Sequence, residues 1–247
     1  MDRSKFRGLL LISLIAIAAI SSGCAEAVGK GLKAFLKSSV ESGKIIKPLT
    51  KLSQAQIEKY RLPTTQEGVK NMAKEMAKRI DYTNPIVRDL AVRLASKYPG
   101  ERNIMQVQAI YEYVYRNWKY VSDPRGFEYY AYASETIRNN FAGDCDDYAI
   151  LMSALVKAVG FSPRIIIACD KSSCHAYPEV YIGKGSTCEE ITNSLAKKFK
   201  DTVYYHTTSS GECWLSLDWT SNHIGSNWLI RDEIFAIYPD GSYVIYE

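Results

Sequence analysis

A chain of 247 residues, 47% of them hydrophobic, can bury one good core, alone or with a tethering arm. Its formal net charge of +4 is too mild for a nucleic-acid binder, so no nucleic-acid partner is expected. The distribution says more: residues 1–80 hold 15 Lys/Arg against 6 Asp/Glu, or +9, and residues 81–247 hold 16 against 21, or −5.

The first 23 residues read as a signal peptide. Arg3, Lys5 and Arg7 form a positive start, and Leu9 to Ile20 form an apolar run. That run is shorter than the roughly 20 residues a spanning helix needs, and it has the length of a signal-peptide core. Ser21-Ser22-Gly23-Cys24 resembles a lipoprotein cleavage box, with Cys24 the lipidated residue and Ser21 standing where such boxes usually carry Leu. Lipidation, an uncleaved anchor and simple secretion all export the body. The expectation is an outward-facing protein at the cell membrane, tethered through its N-terminus.

Residues 24–80 read as a basic helical arm. Val28, Leu32, Phe35, Leu36 and Val40 recur at helical spacing until Gly43 and Pro48 interrupt them. Such an arm attracts anionic head groups beside a lipid surface, and it is equally a solvated amphipathic helix. A further helix is predicted from Gln66 to Ile80, with Val69, Met72, Ala73 and Met76 on one face. The compact domain is placed at 81–247. Pro85 suits the first turn of a helix to Lys97, and Ile104 to Tyr120 carries a stripe of Ile104, Val107, Tyr111, Val114 and Trp118. The stripe is core material, and the neighbouring tyrosines have the chemistry to line a groove.

Gly143-Asp144-Cys145-Asp146-Asp147 then opens a helix, with Asp144 as N-cap and Cys145 in the first turn. Cys145, Ala149, Met152 and Val156 share one face, aimed onto a sheet. The helix dipole favours a thiolate at Cys145, and the adjacent aspartates oppose it. From Pro163 the period changes to strands: 164–169, 175–182, 214–218 and a hairpin from 230 to 246 turning at Pro239-Asp240-Gly241. Helices first and an antiparallel sheet after them make the fold class α+β. Of three histidines, His175 opens a strand, whereas His206 lies in a polar stretch and His223 in a loop. A strand-borne imidazole beside a helix N-terminus is a way to build a Cys–His pair. Asp218 ends the Trp214–Asp218 strand, where a carboxylate can orient such an imidazole.

Six cysteines are present, and lipid on Cys24 would leave five, an odd number. The local pairing is Cys169–Cys174 with Cys188–Cys213, which leaves Cys145 free. Two alternatives stand beside it: unbridged buried thiols, or a metal site from Cys169, Cys174, His175 and Cys188. The second lacks the paired short gaps of common zinc sites.

Three blocks carry a family resemblance. Gly143-Asp144-Cys145-Asp146-Asp147-Tyr148, then Cys174-His175-Ala176-Tyr177-Pro178-Glu179-Val180, then Leu217-Asp218-Trp219-Thr220 resemble the transglutaminase-like superfamily, in the family's order. Tyr113 to Asp123 is similar to the stretch before the nucleophile in its microbial members. The resemblance spans roughly residues 100–225 and leaves the arm unexplained. It implies a papain-like core with the nucleophile helix packed on an antiparallel sheet, Cys145 as nucleophile, His175 as general base and Asp218 as its orienter. It also implies acyl transfer from a peptide, isopeptide or glutamine amide, most simply hydrolysis of a peptide or protein substrate at the cell surface. The alternative is a silent surface scaffold of the same fold, for which an intact Cys, His and Asp set has no use. No alternating acidic calcium loop is present, and neither metal nor cofactor is expected. Two departures stand out. Pro178 in the His strand points to an edge or a bulge, and residues 184–212 form a long insertion with a helix predicted from Glu189 to Lys200.

Overall fold

The computed structural model describes residues 66–124, 128–170, 173–220, 222–227 and 233–246. The expected signal peptide, Cys24, the arm up to residue 65 and residues 230–232 of the last hairpin lie outside them. Helix α1, Gln66–Arg79, buries Val69, Met72, Ala73 and Met76, and these side chains join the same core as the downstream elements. The sequence grouped this helix with the arm. Packing its apolar stripe makes it part of the body, because that burial supplies most of a short helix's stability.

Helix α2, Pro85–Ala95, has Pro85 in its first turn, and Asn84 Oδ1 accepts the Ile86 N–H. Helix α3, Ile104–Asn117, is capped by Asn103, whose Oδ1 accepts the Met105 N–H. It stops short of the expected Tyr120 because Lys119–Tyr120 leave it as strand β1. Helix α4, Ala133–Arg138, follows, then β2, Ala142–Gly143, which pairs in parallel with β1. Helix α5, Cys145–Ala158, comes next, and every residue from Asp146 to Val156 in it is buried. Strands β3, Pro163–Cys169, and β4, Cys174–Lys184, pack on one side of it, and α2, α3 and α4 on the others. The single inward stripe expected from the sequence is therefore an enclosed helix, and its polar positions are buried with the rest.

Helix α6, Ser186–Phe199, packs on β4, buries Cys188, Thr192 and Leu195, and ends one residue before the expected Lys200. Strands β5, Tyr205–Thr207, β6, Glu212–Ser216, β7, Glu233–Ile237, and β8, Tyr243–Tyr246, complete a sheet of order β5-β6-β4-β3-β7-β8. All its neighbouring pairs are antiparallel, so the architecture is α+β.

Pro178 is not on an edge strand. It faces Ile165 of β3 within the central strand β4, and the irregularity in β4 falls later, between Tyr181 and Gly183. Its missing N–H points toward β6, whose ladder with β4 ends at Glu179 opposite Ser216. The Pro178 carbonyl still accepts the Leu217 N–H at 2.9 Å. The absent donor thus falls where the chain leaves the sheet, so it costs no ladder bond.

Candidate active site

Cys145 opens α5 and is half-buried, and it is a free thiol. The other four cysteines among the described residues form the disulfides Cys169–Cys174 and Cys188–Cys213. Those bonds remove the sulfur ligands of the metal alternative. Asp144 occupies the N-cap position but makes no capping bond. Its Oδ2 instead accepts the Asp123 N–H at 3.4 Å, tying the chain after β1 to the start of α5. Gly143 is needed because a Cβ there would run into the Asp147 side chain.

His175 is the second residue of β4, with its side chain on the opposite face from Ala176 and Val180, which enter the main core. Nε2 lies 2.9 Å from Asp218 Oδ2. Burial works against a charged ring, but the bond to Asp218 and the interaction with the nearby Cys145 side chain outweigh it and push His175 up to about 9. His206 and His223 are occupied elsewhere, the first beside Arg164 and Glu179, the second against Asp201 and the Ile224 carbonyl.

Asp218 lies two residues beyond β6 rather than inside the expected strand. Continuing the register that pairs Glu179 with Ser216 sets Asp218 opposite Tyr177, diagonal to His175. Three groups hold its backbone. Tyr111 Oη donates to the Asp218 carbonyl at 2.8 Å, Ser226 Oγ donates to it at 3.2 Å, and the Asp218 N–H donates to Ser216 Oγ at 3.3 Å. One residue earlier, Tyr148 Oη donates to the Leu217 carbonyl at 3.1 Å. The sequence read Tyr111 as core packing alone. A buried phenol needs a partner, and that need was the available signal for its second role.

Aromatic rings wall the histidine. Trp219 meets it edge-on with centroids 5.3 Å apart and also touches Trp118, Tyr120 and Tyr148. Tyr177 stacks on the ring at 5.9 Å. Around the first turn of α5 the surroundings of Cys145 are acidic. Burial pushes Asp146 up to about 12, reinforced by its bond to Asp144. Burial pushes Asp147 up to about 7, against the Ala131 N–H that its Oδ1 accepts at 2.8 Å. Asp123 and Glu128 are raised as well, again mainly by burial. The sequence placed Asp146 and Asp147 beside the thiol but gave no sign that they, or Asp123 and Glu128, would pack together.

The arrangement offers a free thiol at a helix tip, an imidazole near enough to feel it and a carboxylate bonded to that ring. Residues 88–187 match the model of the transglutaminase-like superfamily, a span that includes Cys145 and His175 but not Asp218. No curated protein matches the chain. Among solved structures, a "putative cysteine protease" from Cytophaga hutchinsonii is similar at 22% identity and a TM-score of 0.36, covering 55% of this chain and 41% of that one. This chain thus spans about two fifths of that structure's length.

Proposed function

We propose, from the transglutaminase-like superfamily domain at residues 88–187, that the chain is a thiol-dependent amide hydrolase or acyltransferase, most simply a peptidase. The observation that carries this reading is His175, bonded through Nε2 to Asp218 Oδ2 at 2.9 Å, with the free, half-buried Cys145 acting on the same ring. In this reading Cys145 is the nucleophile, His175 the general acid and base, and Asp218 the residue that fixes the ring.

The Cys145 thiolate attacks the carbonyl carbon of a peptide, isopeptide or glutamine amide, and the C–N electron pair leaves with the amine. The His175 imidazolium gives that amine its proton. A water or a second amine then loses a proton to His175 and displaces the sulfur, releasing an acid or a new amide. The Cys145 N–H, in the first turn of α5, has no intrahelical acceptor and is free to donate to the oxyanion. Removing such a donor typically costs about 3–4 kcal/mol of transition-state stabilisation.

The protein is proposed to work at the outer face of a membrane, anchored through Cys24, on a peptide or protein substrate. Two disulfides fit an oxidising compartment. No helix among the described residues is long and apolar enough to cross a membrane.

The test incubates the protein with mixed peptides and a primary amine and follows masses. Hydrolysis of a peptide bond, release of ammonia and incorporation of the amine give distinct products. Loss of all of them in Cys145→Ser is expected, with rapid alkylation of one thiol in the unmodified protein. A Cys145 that alkylates no faster than an ordinary thiol, with no product formed, would instead favour a silent scaffold.

A further inference from the structure

The aromatic residues beside His175 run outward to the surface. Trp219 meets His175 edge-on at 5.3 Å, stacks on Trp118 at 6.2 Å and meets Tyr120 at 6.2 Å. Trp118 has already left α3 in extended backbone, so the alternation of β1 puts Trp118 and Tyr120 on one side. Lys119 and Val121 take the other side. The backbone is pinned there: the Lys119 N–H donates to the Phe141 carbonyl and the Val121 N–H to the Gly143 carbonyl, each at 2.8 Å. Gly143 lies two residues before Cys145. Tyr120 is nonetheless 60% exposed, more than any other large hydrophobic side chain among the described residues. Its one ring contact there is Trp219, so it adds nothing to the core. An apolar surface that is held in place, left uncovered and continuous with a reactive site is suited to a ligand.

We infer that Trp118, Tyr120 and Trp219 form a specificity subsite, filled by a bulky apolar side chain of the peptide whose amide is presented to Cys145. The inference rests on the proposed acyl chemistry and states which peptides that chemistry prefers. The rings of Tyr120 and Trp219 stand at 62°, so they make a corner that holds one aromatic or branched aliphatic side chain. A glycan would call for a flat ring face with polar partners around it. Tyrosine and tryptophan have few rotatable bonds, and these rings are already braced against one another. Little ordering cost therefore opposes binding.

The test uses the full chain and two pools of blocked peptides, alike except that one fixed position carries Phe in the first and Gly in the second. The unmodified protein should turn over the Phe pool at least about 10-fold faster, the discrimination an apolar contact provides. Tyr120→Ala should remove that preference and Tyr120→Phe should keep it. Val121→Ser, on the other side of β1, should leave it unchanged. Equal turnover of the pools, or a preference that survives Tyr120→Ala, overturns the subsite and leaves the acyl chemistry standing. If neither pool reacts, the acyl chemistry fails and binding decides the subsite, with each pool titrated into the unmodified protein while tryptophan fluorescence is followed. Tighter binding of the Phe pool that Tyr120→Ala abolishes upholds it. Equal binding, no binding, or displacement of the Phe pool by an N-acetylglucosamine oligosaccharide overturns it.

Discussion

His175 Nε2 and Asp218 Oδ2 meet at 2.9 Å, joining the first residues of β4 to the chain just past β6. The contact is made firm from behind: Asp218 is 1% exposed, and Tyr111 and Ser226 donate to its carbonyl. An imidazole held this way has a set tautomer and a stabilised cation. The Asp218→Asn protein should keep its fold and lose roughly 10⁴-fold in kcat, as such sites do when the acid is neutralised. The same substitution should lower the pH at which His175 titrates, read by NMR of the ring protons. An unchanged titration would mean that the carboxylate does not act on the ring.

The same relationship makes stability depend on pH. His175 stands at about 9 in the folded protein against an ordinary 6.5, so the native state holds the proton more tightly. The stabilisation is complete below about pH 6.5 and is lost as pH rises through about 9, at up to ~1.4 kcal/mol per unit. Asp147, pushed up to about 7, has the same sign but acts between its ordinary 3.8 and 7. Between pH 7 and 9 His175 and Asp146, the latter pushed up to about 12, both contribute with this sign. His175→Asn should reduce the slope of urea-unfolding stability in that window by up to ~1.4 kcal/mol per unit, leaving the part that belongs to Asp146.

On the sheet face shared with Tyr177, Arg164 and Glu179 form an ion pair in which both side chains are essentially unexposed. Trp214 stacks on the guanidinium at 4.1 Å, and Arg164 donates to Tyr246 Oη at 2.7 Å. Glu179→Gln leaves that guanidinium without its counter-charge and should cost about 3–5 kcal/mol in urea unfolding. The joint Arg164→Met, Glu179→Leu protein should recover most of the loss, since both desolvated charges are gone.

The Cys188–Cys213 disulfide ties α6 to β6 across 25 residues. Closing a loop of that length contributes about 3 kcal/mol in the chain-entropy account. Cys188→Ala with Cys213→Ala should lower stability by about that amount and leave thiol reactivity at Cys145 intact. A large fall in Cys145 alkylation rate would show that α6 supports the site and not only the sheet.

Much of the fold was legible locally. Pro85, Asn84 and the stripe of α3 announce helices because capping and 3.6-residue periodicity are properties of a few neighbouring residues. Cys145 at a helix start, His175 at a strand start and Asp218 after an apolar strand could be singled out for the same reason. The pairing of Cys169 with Cys174 followed from proximity in sequence. The meeting of His175 with Asp218 depends on β4 and β6 being neighbours, a choice made by packing across 43 residues of separation.

What tertiary structure alone decided is burial from several sides at once. Pattern reading assigns a helix one buried face, and α5 has none exposed between Asp146 and Val156 because sheet and helices enclose it. That enclosure buries Asp146 and Asp147, which the sequence showed only as acids beside the thiol. It is also why Pro178 sits in a central strand, where the end of a ladder removes the need for its donor. Local chemistry determined which side chains carry reactivity, while the desolvation that alters their charges comes from chain segments distant in sequence.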